Sequence, residues 1–205
     1  MASKVLVVGS GVIGLRTALE LLRKNIPVVL RSSHPPLHPK TCSMGAGGLW
    51  MPYKCDDPRI DRWSIETLDE LLRISKASTS TSTSGSNVDE SCPVEIVPTV
   101  YLTSSHKGPN VDDFVKSDYK TNIQKDISTP LPEWTKDTRL SFQHLTIEML
   151  SWHNHVHKLR IPSEDELSNA GYTHAWFFNP PVVDTPRMLM VSLFCVLLSI
   201  LHSLV

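Results

Sequence analysis

The chain has 205 residues, of which 40% are hydrophobic and 20% are charged, a composition typical of globular domains. Its formal net charge of -1 disfavours nucleic acid as a main partner, because there is no excess of basic residues to displace counterions from phosphates. The 4 cysteines are widely spaced and form no CxxC pair, so the sequence predicts neither a zinc site nor a disulfide framework.

The N-terminal segment indicates a β-α-β unit. Residues 4–8 are typical of a short buried strand, and residues 13–24 carry apolar side chains at helical spacing. Pro27 prevents the helix from continuing, and residues 28–30 are predicted to form a second strand. Because the connection is short, we expect the two strands to be parallel, with a right-handed crossover.

A glycine motif lies between the first strand and the helix. Gly9-Ser10-Gly11-Val12-Ile13-Gly14 matches G-x-G-x-x-G. In a dinucleotide-binding fingerprint the first glycine permits a tight turn, the second lets the backbone approach a pyrophosphate, and the third lets the helix pack close to the strand. The helix N-terminus then offers N–H groups to the phosphates. We predict that Gly9, Gly11, Val12, Ile13 and Gly14 bind a dinucleotide; the alternative is a glycine-rich structural turn.

The end of the second strand leaves the choice of dinucleotide open. An acid there usually holds the adenosine ribose, but the residues that follow Leu30 are Arg31, Ser32 and Ser33. Arg31 could favour the 2′-phosphate of NADP, contact the adenosine of FAD, or lie on the surface. The fingerprint alone does not separate NADP from FAD.

The middle of the chain alternates between loops and predicted elements. Residues 33–39 contain three prolines and residues 44–50 contain three glycines, so both are predicted loops. Residues 61–75 are predicted to form an amphipathic helix. The Ser/Thr tract at 78–86 is predicted to be disordered. A strand over 94–102 is interrupted by Pro98, which favours an edge position or a bulge.

Three histidines occupy alternate positions in a stretch, 145–157, whose secondary structure the pattern leaves open. On a strand, His153, His155 and His157 would face one side, where imidazoles could bind zinc or copper. No acid or cysteine completes a ligand set nearby, so we favour an exposed polar strand or loop and predict no metal site.

Further on, Ser163 is predicted to cap a helix, and residues 172–178 are predicted to form a strand.

The C-terminal residues 188–205 contain no charged residue. Such a run is about the shortest that spans a bilayer as a helix. The alternatives are a buried helix or divergent sequence at the end of an incomplete product, so membrane association through this apolar tail is kept as an alternative only.

Several segments resemble the D-amino-acid oxidase and D-aspartate oxidase family. Residues 45–53, G-A-G-G-L-W-M-P-Y, resemble the family segment A-A-G-L-W-x-P-Y, and residues 5–15 resemble its V-x-G-x-G-V-I-G-L start. Residues 171–178 and 183–187 are similar to its Y-x-x-G-W-x-F and D-T-P-R stretches. The likeness is patchy, but the order and spacing of the motifs are fairly specific.

The resemblance implies an α/β fold, with a Rossmann-type FAD-binding domain joined to part of a mostly antiparallel substrate domain. It implies FAD as cofactor and the oxidative deamination of a D-amino acid to a 2-oxo acid, ammonia and hydrogen peroxide. In this family catalysis comes mainly from the orientation of the substrate against the flavin. It also implies a homodimer and a peroxisomal location, although Ser203-Leu204-Val205 is not a peroxisomal signal, so a cytoplasmic location stays open.

Further cofactor contacts follow from the same resemblance. A glycine-rich segment leaves backbone N–H groups open to a ring or a phosphate, and neighbouring hydroxyls add donors. Matching positions in the family contact the pyrophosphate and the flavin edge. The cofactor-binding residues implied in this way, together with Arg31 and Ser32 at the adenosine, are Thr41, Ser43, Ala46, Gly47, Gly48 and Leu49.

The chain also departs from the family. Ser32 stands where the family often has an acid, and nothing after Leu189 resembles the family's substrate-carboxylate arginine or its active-site tyrosines, so catalytic residues remain unknown. We therefore expect weak FAD binding, low stability and an exposed sheet edge if this chain is made alone.

The domain layout that we predict has four parts. They are the N-terminal part of a FAD-binding domain at 1–75, a flexible linker or insertion at 76–90, a partial substrate domain at 91–187 and the apolar tail at 188–205. The alternative functions are an NAD(P)-binding reductase, which Arg31 would support, and a non-catalytic membrane-tethered remnant, which the apolar tail would support.

Overall fold

The computed structural model describes residues 4–52, 57–79, 92–103, 133–172 and 174–202. The chain divides into two compact units. The first contains Met1–Leu49, Ile74–Glu95 and Val182–Val205, and the second contains Trp50–Arg73 and Ile96–Pro181. The prediction of disorder over 78–86 is wrong at positions 78 and 79, which end a helix, and the rest of that tract lies outside the described residues.

The first unit begins with the predicted β-α-β arrangement. Strand β1 (Val5–Val8) leads into helix α1 (Val12–Arg23), and strand β2 (Val28–Arg31) follows. The strands are parallel, with Val5 opposite Val28 and Val8 opposite Arg31. Asn25 adopts a left-handed conformation with φ of 57° directly after the helix, as its short polar side chain allows. The order of these elements confirms the expected α/β, Rossmann-type start.

The core of the first unit covers only one side of β1. Val7 is buried together with Ala18, Leu19 and Val196. In contrast, Leu6 is 54% exposed and Val8 is 77% exposed. The prediction of a wholly buried strand is therefore wrong, because helices cover one face of the β1–β2 pair and the opposite face carries apolar side chains in solvent.

Residues 188–202 of the apolar C-terminal run lie in helix α5 (Thr185–His202), which starts within the 183–187 motif, and the last three residues of the run lie outside the described residues. One side of α5 is buried at Met188, Leu189, Ser192 and Val196, and the helix packs against α1. By length and composition α5 could cross a membrane, since its mean hydropathy is 1.6 and only 22% of it is buried. The core helix of a soluble protein can pass the same test, so this property by itself is weak support for a membrane span.

Pro98 divides the predicted strand over 94–102 into two. Strand β3 (Val94–Ile96) ends before the proline and strand β4 (Thr99–Thr103) begins after it. β3 pairs with β7 (Pro181–Val183) in a two-stranded sheet, whereas β4 joins a different sheet, at its edge. The expected interruption and edge position are confirmed, and their cause is that proline has no N–H to donate to a ladder.

The second unit is built on an antiparallel sheet with the strand order β4–β6–β5. β6 (His174–Phe178) pairs with β4 on one side and with β5 (Gln143–Thr146) on the other. Ala175 and Phe177 pack on one face, with Leu145 and Leu150. Phe178 points to the other face, where the cluster also contains Trp50, Leu68, Trp134 and Leu140. Helix α2 (Ile60–Thr79) supplies Leu68 and confirms the predicted helix over 61–75.

Two helices follow β5. Helix α3 (Leu150–His157) contains the three histidines, so the strand or loop that we favoured for them is wrong. On this helix the His155 side chain is about 200° from each of the other two, whereas His153 and His157, four positions apart, share a face and stack with their ring centroids 5.6 Å apart. Helix α4 (Glu164–Asn169) has the predicted cap, because Ser163 and Glu166 form a complete capping box.

Candidate cofactor-binding site

The glycine turn between β1 and α1 has the geometry that the fingerprint requires. Gly9 has φ of 108°, a backbone conformation that residues other than glycine rarely adopt. Its N–H donates to the carbonyl oxygen of Arg31 at 2.7 Å. A Cβ atom on Gly14 would lie 2.0 Å from the Gly9 carbonyl oxygen. The third glycine therefore permits the close approach of α1 to the turn, as predicted.

The N-terminus of α1 is open to a ligand. Gly11 is the N-cap residue, is extended and offers no side-chain cap. The helical hydrogen bonds start with the Leu15 N–H, which donates to the Gly11 carbonyl oxygen at 3.0 Å. The N–H groups of Ile13 and Gly14, in the first turn of the helix, therefore have no acceptor within the helix. Such a helix end attracts phosphate.

The 3-10 turn Cys42–Gly45 brings Ser43 to this helix end. Its Oγ accepts a hydrogen bond from the Val12 N–H at 3.1 Å. A Cβ atom on Gly11 would lie 2.9 Å from that Oγ and 3.8 Å from the Thr41 methyl carbon. The structure thus brings Thr41 and Ser43 to the glycine turn, and the lack of a side chain at Gly11 lets Ser43 approach it closely. We refer to Gly11, Thr41, Ser43 and the N–H groups of Ile13 and Gly14 as the cradle. A pyrophosphate fits this set of donors.

The segment 46–49 has a different set of partners. The Ala46 carbonyl oxygen accepts a hydrogen bond from Thr185 Oγ1 at 3.3 Å, and the Gly48 carbonyl oxygen accepts one from the Val183 N–H at 2.9 Å. Leu49 forms an antiparallel bridge with Val182. These described bonds run to the start of α5 and to the strand before it, not to Gly9–Gly14.

The backbone packing around position 48 requires glycine there, without any contribution from a ligand. Gly48 has φ of 67°, and a Cβ atom there would lie 2.0 Å from the Val183 carbonyl oxygen. Gly47, in contrast, has nothing within 4 Å of such an atom. Of the two, only Gly47 therefore has space beside it for a ligand, and its role in binding stays a prediction.

Ser10 takes part in the site although sequence reasoning passed over it. Its side chain is 4% exposed, and its Oγ lies 2.9 Å from Ser32 Oγ and 2.8 Å from the His34 carbonyl oxygen. It thus joins the glycine turn to the loop after β2. The only signal for this was a small polar residue at a variable position of the motif.

Arg31 ends β2 with an exposed side chain.

Comparison with known proteins decides the family. Residues 4–126, more than half of the chain, match the family described as FAD dependent oxidoreductase, or DAO. The chain belongs to this FAD-dependent family. The cofactor of the fingerprint is therefore FAD rather than NADP. The alternative function of an NAD(P)-binding reductase is excluded with it.

Individual members of the wider group resemble parts of the chain. D-amino-acid oxidase from Streptomyces coelicolor is 40% identical over 67 residues, which are 32% of this chain and 20% of that protein. The structure of glycine oxidase from Bacillus cereus has a TM-score of 0.56 at 17% identity, covering 96% of this chain and 45% of that one. L-amino acid deaminase from Proteus vulgaris has a TM-score of 0.59 at 14% identity, covering 96% of this chain and 38% of that one. The two structural matches confirm the fold. The chain spans less than half the length of each of these three proteins.

Proposed function

We propose that this chain binds FAD at the glycine turn and serves the oxidative deamination of a D-amino acid. The observation that supports FAD binding most directly is the cradle at the N-terminus of α1, where the lack of a side chain at Gly11 lets the Ser43 hydroxyl reach the glycine turn. The D-amino acid, rather than glycine or an L-amino acid, is favoured by the 40% identity to a D-amino-acid oxidase. The resemblance of residues 45–53 to the same group points in the same direction.

The residues of the cradle have distinct tasks in this proposal. The N–H groups of Ile13 and Gly14 would donate to the pyrophosphate, and the positive end of the α1 dipole would favour its charge. The Ser43 hydroxyl would donate its proton to a phosphate oxygen while its oxygen still accepts the Val12 N–H. Gly47 would leave its backbone open to the flavin. Arg31 and Ser32 would lie on the adenosine side.

Bound FAD would supply the redox chemistry of this reaction, in which an amino acid, oxygen and water become a 2-oxo acid, ammonia and hydrogen peroxide. The chain's own contribution, as far as the described residues carry it, is to bind and orient the nucleotide.

FAD binding can be tested through the cradle. Titration of the purified chain with FAD, followed by flavin fluorescence, should show saturable binding. Gly11→Ala should weaken FAD binding by about tenfold or more. The added methyl group would displace Ser43 and block the approach of the pyrophosphate to the N–H groups that bind it. Gly45→Ala is the matched control, since a Cβ there meets nothing within 4 Å. Equal affinities of the two variants, or no binding by the unchanged chain, would contradict the assignment.

The substrate class needs a separate experiment. The FAD-loaded chain is mixed anaerobically with D-alanine, L-alanine or glycine, and the loss of flavin absorbance is followed. We expect D-alanine to reduce the flavin fastest. A faster reaction with L-alanine or with glycine would replace the D-amino acid by that substrate and leave FAD binding intact.

A further inference from the structure

The end of β2, where the adenosine ribose is usually held, carries no acidic residue. In a β-α-β dinucleotide site the pyrophosphate lies at the first turn and the adenosine extends across the end of the second strand, where an acid commonly holds the ribose. Here β2 ends at Arg31 and is followed by two serines. The ribose-binding acid is therefore missing at this strand end, and a group in the loop that follows is a candidate to recognise the adenosine.

Two imidazole rings lie in the loop that follows β2. His34 and His38 stack with their ring centroids 4.4 Å apart and their planes 9° apart. Both side chains are half-buried rather than enclosed. An accessible, nearly parallel pair of flat rings is the kind of surface on which a nucleobase stacks, and stacking on π-faces needs no particular hydrogen-bond pattern.

The loop holds the two rings in place. The His38 N–H donates to the Pro35 carbonyl oxygen at 3.1 Å, and the His38 carbonyl oxygen accepts from the Thr41 N–H at 2.8 Å. His38 Nδ1 accepts a hydrogen bond from the Lys40 N–H at 3.1 Å. These bonds, with the fixed φ of the prolines, reduce the entropy that a ligand would have to overcome by ordering the loop.

The same loop is tied to the pyrophosphate cradle. The buried Ser10, inside the glycine motif, donates to the carbonyl oxygen of His34 at 2.8 Å. Its hydroxyl also lies 2.9 Å from that of Ser32 at the end of β2. The stacked pair is therefore connected through one side chain to the turn that would hold the phosphates.

We propose that the stacked His34–His38 pair is the adenine platform of this chain and takes over the adenosine recognition that an acid after β2 provides elsewhere. The proposal rests on FAD binding at the glycine turn. It names a nucleobase with an extended flat face, attached to a pyrophosphate, as the group that the pair recognises.

The test compares FAD with FMN, which lacks the adenosine and the phosphate attached to it. Affinities are measured by flavin fluorescence for the unchanged chain and for His38→Ala, His38→Phe and Leu37→Ala. His38→Ala should weaken FAD binding by about tenfold, as expected for the loss of a stacking partner. His38→Phe should restore most of that affinity, because it keeps a flat ring. Leu37→Ala, which removes a partly exposed neighbour in the same loop, should leave it unchanged. None of the variants should alter FMN binding.

The outcomes separate this proposal from the one on which it rests. If the unchanged chain binds no FAD, both proposals fail. If it binds FAD but His38→Ala has no effect, the same effect as Leu37→Ala, or an effect that His38→Phe does not reverse, the adenine platform is refuted and the glycine cradle stands. An equal loss of FAD and FMN affinity in His38→Ala would also overturn the platform, because it would show a general disturbance of the loop.

Discussion

His153 is a buried imidazole in an apolar setting. It is 4% exposed, its ring centroid lies 4.6 Å from that of Phe177, and its Nδ1 has no hydrogen-bond partner among the described residues. Burial lowers the pKa of His153, and the neighbouring His157 lowers it further. The folded protein therefore holds this imidazole neutral at a pH where the unfolded chain would take up a proton.

This sets the direction of a pH effect on stability. Because the folded pKa of His153 is below its ordinary value of 6.5, the unfolded state binds more protons as the pH falls through 6.5 toward the folded pKa. The free energy of unfolding should decrease over that window. His153→Phe should flatten this decrease and change stability at neutral pH by less than about 1.5 kcal/mol, since a ring of similar size replaces the imidazole against Phe177.

Urea denaturation followed by circular dichroism, at several pH values between about 5 and 8, measures this slope. His155→Gln is the control, because it removes an exposed imidazole from the same helix and should leave the slope as it is. An unchanged slope in His153→Phe would show that other groups cause the pH dependence.

The same helix shows what local sequence could not reveal at the level of single residues. α3 has only 8 residues, and its N-cap, Met149, makes no side-chain cap. A short segment without a capping signal has little intrinsic tendency to be helical, and alternate histidines invite a strand assignment. The burial of Leu150 and His153 against β6 decides the structure, and neither contact can be read from the segment itself.

At the level of elements, the β1–α1–β2 unit was predictable because its signals are local. Glycines mark the turn, Pro27 marks the end of the helix, and short connections favour the parallel pair. The segment 46–49 was not predictable in the same way. Its partner Thr185 lies 139 positions from Ala46, so a glycine that packing requires, Gly48, looked in the sequence like one that a ligand requires.

Gly14 offers a test of how α1 packs on the turn. An alanine should strengthen an isolated helix by about 1 kcal/mol relative to glycine. Here its Cβ would lie 2.0 Å from the Gly9 carbonyl oxygen, which is backbone and moves only if the turn shifts. We therefore expect Gly14→Ala to destabilise the protein by about 1–3 kcal/mol, as other overpacked positions do.

Equilibrium urea unfolding measures this change, with Gly45→Ala as the control. A Cβ at Gly45 has open space around it, so that variant should remain within about 0.5 kcal/mol of the unchanged chain. A Gly14→Ala variant that is as stable as the parent would show that the turn relaxes freely and that the third glycine is not needed for close packing.

At the level of the whole molecule, α5 presents apolar side chains to solvent on the side opposite to its buried residues. Phe194 is 61% exposed and Leu201 is 60% exposed, and Met190 and Leu197 are also exposed. These four residues follow one another at intervals of 4, 3 and 4 positions, the spacing of a continuous stripe on a helix. The sequence alternatives for this segment were a buried helix and a membrane span, and the structure combines a buried side with an apolar exposed one.

An apolar stripe of this kind favours association, because a large exposed apolar patch gains free energy when it is covered. We expect the purified chain to self-associate in a concentration-dependent way that mild detergent reverses, as measured by analytical ultracentrifugation. Phe194→Ser should shift the distribution toward monomer without loss of helical signal, because its side chain contributes to the stripe and not to the core.

Leu189→Ser supplies the contrast within the same helix. Leu189 is fully buried, so its replacement should lower the free energy of unfolding by about 2–5 kcal/mol and increase aggregation rather than reduce it. If Phe194→Ser leaves the association unchanged while the chain remains folded, then α5 is not the surface that associates. The exposed face of β1, where Val8 is 77% exposed, would then be the next apolar surface to test by the same measurement.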